Sequence, residues 1–151
     1  MALDDDIRIL ADMALFDGFT QEQLRLLAFG AETLSVSAGR LIYAQGDTAD
    51  CAFVIVHGEV SLVSGTGDEA VELKSLGSHA LLGELALIAD TTRPTSALAG
   101  TDCELLRLNR RLFRRILEEY PDIAMLLHDR IAAQLQELVQ KITGLSARFG
   151  D

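Results

Sequence analysis

The chain is poor in cysteine and in basic residues, and it has no tryptophan. Its two cysteines, Cys51 and Cys103, have 51 residues between them. That spacing gives neither a disulfide framework nor the close ligand pairs of a structural zinc site. Apolar runs are short, and none approaches the ~20 residues that a membrane-spanning helix needs. The start, Met1-Ala2-Leu3-Asp4-Asp5-Asp6, lacks the basic and apolar regions of a signal peptide. Only 13 Lys and Arg stand against 23 Asp and Glu, a net charge of −10. Nucleic-acid-binding surfaces are as a rule basic, so that class is excluded. What remains is a cytoplasmic, soluble chain with no membrane and no nucleic-acid partner. Its 151 residues suit a single domain whose core stands without disulfide or metal.

Glycine is unevenly placed. Seven of the 12 glycines fall between Gly39 and Gly83. They separate short β-type runs: Leu41-Ile42-Tyr43, Phe53-Val54-Ile55-Val56, Val60-Ser61-Leu62-Val63 and Val71-Glu72-Leu73. The last two alternate apolar and polar, as strands buried on one face do. A further run follows residue 94, from Ala97-Leu98-Ala99 through Glu104-Leu105-Leu106-Arg107-Leu108. Short strands at this spacing predict an antiparallel barrel or jelly roll rather than βαβ units. Residues 4–29 read as helical: Thr20 with Gln23 three residues on is a capping box, Leu24, Leu27 and Ala28 share a face, and Gly30 marks the stop. From Arg110 the pattern is helical again, with Pro121 as a break or first-turn residue between two helices. Ala124, His128, Ile131, Leu135, Leu138, Ile142 and Leu145 then recur at spacings of 4, 3, 4, 3, 4 and 3. Such a heptad seam is either a homodimer interface through the C-terminal helix or the face of a helix lying along its own barrel. Charged and amide residues beside it, among them Asp129, Arg130, Gln134 and Glu137, favour the dimer.

The charge is also uneven. Residues 1–75 hold 13 acids and 4 bases, a net of −9, and residues 76–151 hold 10 acids and 9 bases, a net of −1. An anionic ligand is therefore met more readily by the second half. That half contains Gly83-Glu84-Leu85-Ala86-Leu87-Ile88-Ala89-Asp90-Thr91-Thr92-Arg93-Pro94-Thr95-Ser96. Gly83 permits close backbone approach, and the free N–H groups of a short helix after it can bind an anion. Arg93 offers a planar fork suited to phosphate, and Glu84 can accept from sugar hydroxyls. Together they make a phosphate-and-ribose site. Two plainer readings stay open: Arg93 as a surface residue paired with Asp90, and Glu84 as a charge placed on a helix dipole.

At these residues the chain resembles the cyclic nucleotide-binding domain family. Gly83-Glu84-Leu85-Ala86-Leu87, with Arg93 nine residues after Glu84, looks like that family's phosphate-binding cassette. Ser37-Ala38-Gly39, Gly46-Asp47 and Val56-His57-Gly58-Glu59-Val60 fall where the family turns its barrel strands. The stretch from Arg93 to Gln136 is similar, without a gap, to the sensor domain of the bacterial catabolite activators, including Cys103, Phe113, Pro121-Asp122-Ile123 and Leu135-Gln136. The resemblance implies that Arg93 pairs with the cyclic phosphate, that Glu84 accepts the ribose 2′-hydroxyl, and that N–H groups near Leu85 and Ala86 complete the cradle. The base is then expected between a barrel wall, with Val71 and Leu73 as candidates, and the C-terminal helix. Cyclic AMP is the leading ligand, with cyclic GMP as the alternative, and no cofactor is required.

The departures from the family pattern bear on affinity and base choice. Pro94 follows the arginine and has no N–H to give, with Thr95 or Ser96 as the available substitutes. Leu82 replaces a frequent aromatic. Leu138-Val139 stand where the activators present two hydroxyls to adenine. The chain ends at Asp151 soon after the seam, so no DNA-reading domain is expected. The remaining signals are weaker. Arg110, Arg111, Arg114 and Arg115 read as a solvated face paired with Glu118 and Glu119, or as a dock for an acidic partner. Cys51 and Cys103 read as buried small hydrophobes. His57, His79 and His128 have no metal spacing, and no set of residues marks an enzyme.

The expected fold is mainly β, an antiparallel jelly-roll barrel (double-stranded β-helix) over residues 31–109 with the cassette at 83–96. It is flanked by an N-terminal helical segment, 1–30, and C-terminal helices, 110–146, the last one long. The expected function is a stand-alone cyclic-nucleotide sensor that moves its C-terminal helix on binding and is read by an unknown protein effector. The alternatives are an interaction module that has lost the ligand and a regulatory piece of a channel or multi-domain effector.

Overall fold

The computed structural model describes residues 2–65, 67–133 and 136. The expected helical start divides in three. Helix α1, Ala2–Ala11, buries Ile7 and Leu10, a 3-10 turn covers Ala14–Phe16, and helix α2 runs Gln21–Gly30. The capping box of α2 is present. The Gln23 N–H donates to Thr20 Oγ1 at 3.2 Å, and the Thr20 N–H donates to Gln23 Oε1 at 2.8 Å. The helix ends at Gly30, but not through a left-handed glycine cap, because Gly30 has no positive φ and extended Ala31 is the C-cap. Gly30 is needed for a different reason. A Cβ there would stand 2.4 Å from Leu112 Cδ2, so the missing side chain lets the C-terminal helices approach.

Ten strands follow: β1 Glu32–Val36, β2 Leu41–Tyr43, β3 Thr48–Ala49, β4 Cys51–His57, β5 Val60–Ser64, β6 Val71–Leu76, β7 Leu81–Leu82, β8 Thr91–Thr92, β9 Ser96–Ala99 and β10 Cys103–Asn109. All pair antiparallel, in one sheet ordered β1-β10-β4-β7, a second ordered β2-β9-β5-β6, and a small pair β3-β8. This is the mainly antiparallel, helix-flanked architecture of the jelly roll that the strand spacing predicts. The sequence marks the long strands but not β1 or the two-residue β3, β7 and β8, which are too short to show a period.

Strand β4 explains the core. Cys51, Phe53 and Ile55 point between the two sheets, against Val60, Leu105, Ala97 and Ala99, while Ala52 and Val54 point to the helices, against Leu10, Phe16, Leu27 and Phe113. A strand buried on both faces has no polar positions, which is why 51–56 carry no charge. Strand β10 also feeds both clusters, Cys103 and Leu105 between the sheets and Leu106 and Leu108 toward the helices, and its pairing with β4 skips Val56 at an irregularity beside Glu104 and Leu105.

Helix α3, Arg110–Glu119, is capped by Asn109, whose Oδ1 accepts from the Arg111 N–H at 2.7 Å, and it buries Phe113 and Ile116. Its arginines do not form one solvated face. Arg110 turns inward, donating from Nη1 to the Ala89 carbonyl at 2.7 Å and pairing with Asp90 at 2.9 Å. Helix α4 covers 121–133, with Pro121 at its first position. Of the heptad seam, Ile131 is 1% exposed and sits in the chain's own core beside Leu127, Ala124 is half-buried, and His128 faces solvent. The described part of α4 therefore lies along its own barrel, and Ile131 does not serve a dimer interface. Leu135, Leu138, Val139, Ile142 and Leu145 lie outside the described residues. Arg130 fastens α4 to the N-terminal turn, its Nη1 donating to the carbonyls of Leu15 at 3.1 Å, Ala14 at 3.5 Å and Asp17. No helix among the described residues is long and apolar enough to cross a membrane.

Candidate functional site

Arg93 organises the candidate site. Its backbone is pinned by the Gly46-Asp47 turn: the Arg93 N–H donates to the Asp47 carbonyl at 2.8 Å, and the Gly46 N–H donates to the Arg93 carbonyl at 2.8 Å. Its side chain is buried, at 5% exposure. Nη2 donates to the Cys51 carbonyl at 2.8 Å and reaches Cys51 Sγ at 3.4 Å. The guanidinium lies 4.4 Å from the centroid of Tyr43 and 5.7 Å from that of Phe53, two rings that stack on each other. This cation–π seat suits a planar cation withdrawn from water. The pairing with Asp90 is not made, since Asp90 is held by Arg110 instead.

Among the described residues Nη1 of Arg93 has no hydrogen-bond partner, and it is shielded from solvent. Leaving such a charged donor unmade costs more than ~1–3 kcal/mol, so an unpaired one calls for an explanation. It lies against Gly83, where a Cβ would come within 2.4 Å of Nη1. Gly83 also has φ 73° and ψ 37°, a left-handed conformation natural to glycine. The sequence therefore needs glycine here on both steric and conformational grounds.

After Gly83 the chain makes a 3-10 turn, Glu84–Leu87. The Ala86 N–H is spent inside it, donating to the Gly83 carbonyl at 3.1 Å. The Glu84 and Leu85 N–H groups have no acceptor among the described residues. Of the two N–H groups expected for an anion cradle, Leu85 is thus free and Ala86 is engaged, and Glu84 adds a second free one. Burial raises the Tyr43 phenol above its ordinary value, against the pull of Arg93 and with a further push from Glu84. Burial likewise raises the Cys51 thiol, with Arg93 opposing. Both groups therefore stay neutral beside the cation around pH 7.

These residues border a cavity of about 560 Å³. Gly83, Glu84, Leu85, Ala86, Arg93, Pro94 and Thr95 all line it, so the two ends of the cassette are brought to one place, while 87–90 and Ser96 lie off the lining. Val71 and Leu73 are not. Both are 58% exposed on the outer face of β6, and neither lines the cavity. The wall is made instead by Leu62, Lys74 and Leu76 on β5 and β6, with Ile131 of α4 opposite. The alternation in β6 is interrupted: Leu62 pairs with Lys74 and Val63 with Glu72, so the register skips Leu73, and Lys74 and Leu76 reach the cavity where Val71 and Leu73 do not. Tyr43, Cys51 and Lys74 carry no motif signal and emerge only from the fold. Leu138 and Val139 lie outside the described residues.

The comparisons agree with this geometry. The family model of the cyclic nucleotide-binding domain matches residues 33–120. A cyclic nucleotide-binding-like protein of known structure from Brucella abortus is 52% identical, covering 76% of this chain and 99% of that one, with a TM-score of 0.70. The catabolite activator protein of Thermus thermophilus is 29% identical, covering 87% of this chain and 62% of that one, with a TM-score of 0.74. A lysophospholipase of Neosartorya fischeri is 32% identical over 114 residues, which is 75% of this chain but only 8% of that protein's length. The chain thus spans a small part of the curated relatives it matches. With a family model matching residues 33–120, across most of the barrel and the whole cassette, and with Arg93 buried against Gly83 in the cavity lining, the chain belongs to the cyclic nucleotide-binding domain family.

Proposed function

We propose that the chain is a regulatory receptor for a 3′,5′-cyclic purine nucleotide, with no catalytic step of its own. The observation that carries this reading is the buried, unpartnered Nη1 of Arg93 facing the cassette. A cyclic phosphate oxygen would supply the missing acceptor, and the Glu84 and Leu85 N–H groups would take the same phosphate. The Glu84 carboxylate would accept from the ribose hydroxyl. The base would lie along Leu62 and Leu76, under Ile131 of α4. Because Ile131 belongs both to the cavity and to the chain's core, a ligand favours the α4 position that packs best on it, which is a population shift. A partner protein, a second copy, or an effector chain carrying the domain would read that position. The lysophospholipase relatives, in which the matching sequence is 8% of a longer chain, favour the effector.

A second reading, a ligand-free interaction module, rests on Pro94. It supplies no N–H, and one lost bond to a charged group costs roughly 1–3 kcal/mol. Isothermal titration with cyclic AMP and cyclic GMP separates the two. Binding below ~1 mM that falls roughly 100-fold or more in Arg93→Met supports the receptor, as expected when charge-assisted bonds are removed. Absence of heat with either nucleotide, or affinity that survives Arg93→Met, overturns it.

A further inference from the structure

We infer that the outer face of α2 and α3 is self-complementary and pairs two copies of this chain about a two-fold axis, with Leu26 and Phe29 at its centre. Helix α2 turns Gln23, Leu24, Leu27 and Ala28 inward and leaves Glu22, Arg25, Leu26 and Phe29 outside. Phe29 is 80% exposed and Leu26 39% exposed, although both are large and apolar. Glu22, Leu26 and Phe29 follow at spacings of four and three, so they form one stripe along the helix. Helix α3 turns Phe113 and Ile116 inward and leaves Arg111, Arg114, Arg115, Glu118 and Glu119 outside. None of these charged residues makes an ion pair among the described residues, so the pairs expected four positions apart within α3 are not formed.

The two helices run antiparallel. Gly30, at the end of α2, abuts Leu112, near the start of α3, where a Cβ would stand 2.4 Å from Leu112 Cδ2. Glu22, near the start of α2, lies with Glu119 beside Tyr120, just past the end of α3. Partial burial, and then these two carboxylates, raise the Tyr120 phenol above its ordinary value. Along α3 the exposed side chains change from basic at Arg111, Arg114 and Arg115 to acidic at Glu118 and Glu119. Glu22 joins the acidic end and Phe29 lies toward the basic one. The face therefore carries charge of opposite sign at its two ends and an apolar stripe between them.

A two-fold axis through the middle of such a face lays the basic end of each copy on the acidic end of the other. A purely acidic partner would set like charge against Glu22, Glu118 and Glu119, whereas a second copy matches both ends. The axis passes near Leu26, so the apolar stripes meet and the Phe29 ring leaves water, which is the main gain. The arginines and glutamates fix the antiparallel orientation more than they add affinity, as charges at the rim of an interface do. The net charge of −10 opposes association at long range. Physiological salt screens that repulsion beyond ~8 Å, which leaves the local pattern to decide. The same patch serves both copies, so the assembly closes at two.

The test is the molar mass of the full chain by light scattering, in about 0.15 M salt and at concentrations up to ~1 mM. The wild type should reach the dimer mass. Phe29→Glu should weaken association roughly 30-fold or more, as loss of a central aromatic does. The double variant Arg111→Glu with Arg115→Glu should be monomeric, and so should Glu118→Arg with Glu119→Arg, because each then sets one sign against itself. Mixed in equal amounts, these two double variants should form a one-to-one dimer. All five positions are exposed, and unchanged melting curves would show that the variants are folded. A wild type that is monomeric at ~1 mM, a dimer that Phe29→Glu leaves intact, or a mixture that stays monomeric overturns the inference. The receptor reading is untouched by any of these outcomes.

Discussion

Replacing Gly83 with alanine tests the centre of the site. Two costs follow from the structure. The backbone has φ 73°, where a residue with a Cβ loses about 1–2 kcal/mol. The new Cβ would also stand 2.4 Å from Arg93 Nη1, a distance that cannot persist. The guanidinium has little room to yield, because Nη2 is bonded to the Cys51 carbonyl and the group is stacked on Tyr43. The strain alone should lower the melting temperature by about 2–8 °C for a chain of this size. Ligand affinity should fall by roughly 10- to 150-fold, the worth of one charge-assisted bond at ~1.5–3 kcal/mol. A double-mutant cycle separates the two costs. In an Arg93→Met background the clash is gone, so Gly83→Ala should cost only the backbone term there and more in the wild type. Thermal melting of the four proteins gives the coupling, and titration gives the affinity. If Gly83→Ala keeps wild-type affinity, or if its cost is the same in both backgrounds, then the guanidinium is not held against Gly83 and the geometry of the site is wrong.

The remaining predictions concern the supports of the site. Arg110→Gln removes both the bond to the Ala89 carbonyl and the pair with exposed Asp90. It should destabilise the protein by about 1–2 kcal/mol in a denaturant titration, mostly through the carbonyl bond, because a pair with an exposed partner contributes under ~1 kcal/mol. If Asp90→Asn costs as much as Arg110→Gln, that apportionment fails. The raised Cys51 thiol gives a pH signature. Its stabilising effect is fully present below the ordinary thiol value of 9.0 and is lost as pH rises through the higher folded value. The melting temperature of the wild type should therefore fall more steeply above about pH 9 than that of Cys51→Ala, and parallel curves would contradict the burial of the thiol.

The cassette was legible because its chemistry is local. Gly83, Glu84 and Arg93 fall within eleven consecutive positions, and their residue types already name an anion, a sugar and a tight backbone approach. The base wall was not legible, for a physical reason. A two-residue period does not say which face is inward, nor does it show an irregularity such as the one that skips Leu73 in the pairing of β5 with β6. In β6 the apolar residues Val71 and Leu73 face out, while Lys74 faces the cavity with its partner Leu62. On this edge strand all residues but Leu76 are exposed, so burial does not mark the face that meets the cavity. Gly30 shows the same limit. Its place at the end of α2 was readable, but its close approach to Leu112, 82 positions away, belongs to the tertiary structure. Ile131 likewise satisfies a heptad, and only packing shows that its partner is the chain's own barrel.

Arg130 has a consequence for the order in which the molecule is assembled. Its three carbonyl acceptors lie 113 to 116 positions earlier in the chain. Joining points so far apart carries a loop-closure cost that contacts near in sequence do not, so it falls late in folding, once the strands between have already shortened the effective loop. On the ribosome, where the N-terminal part emerges first, the turn at Ala14–Phe16 must wait for almost all of the described chain before Arg130 can fasten it. A turn that emerges well before the barrel is thus among the last parts to be secured.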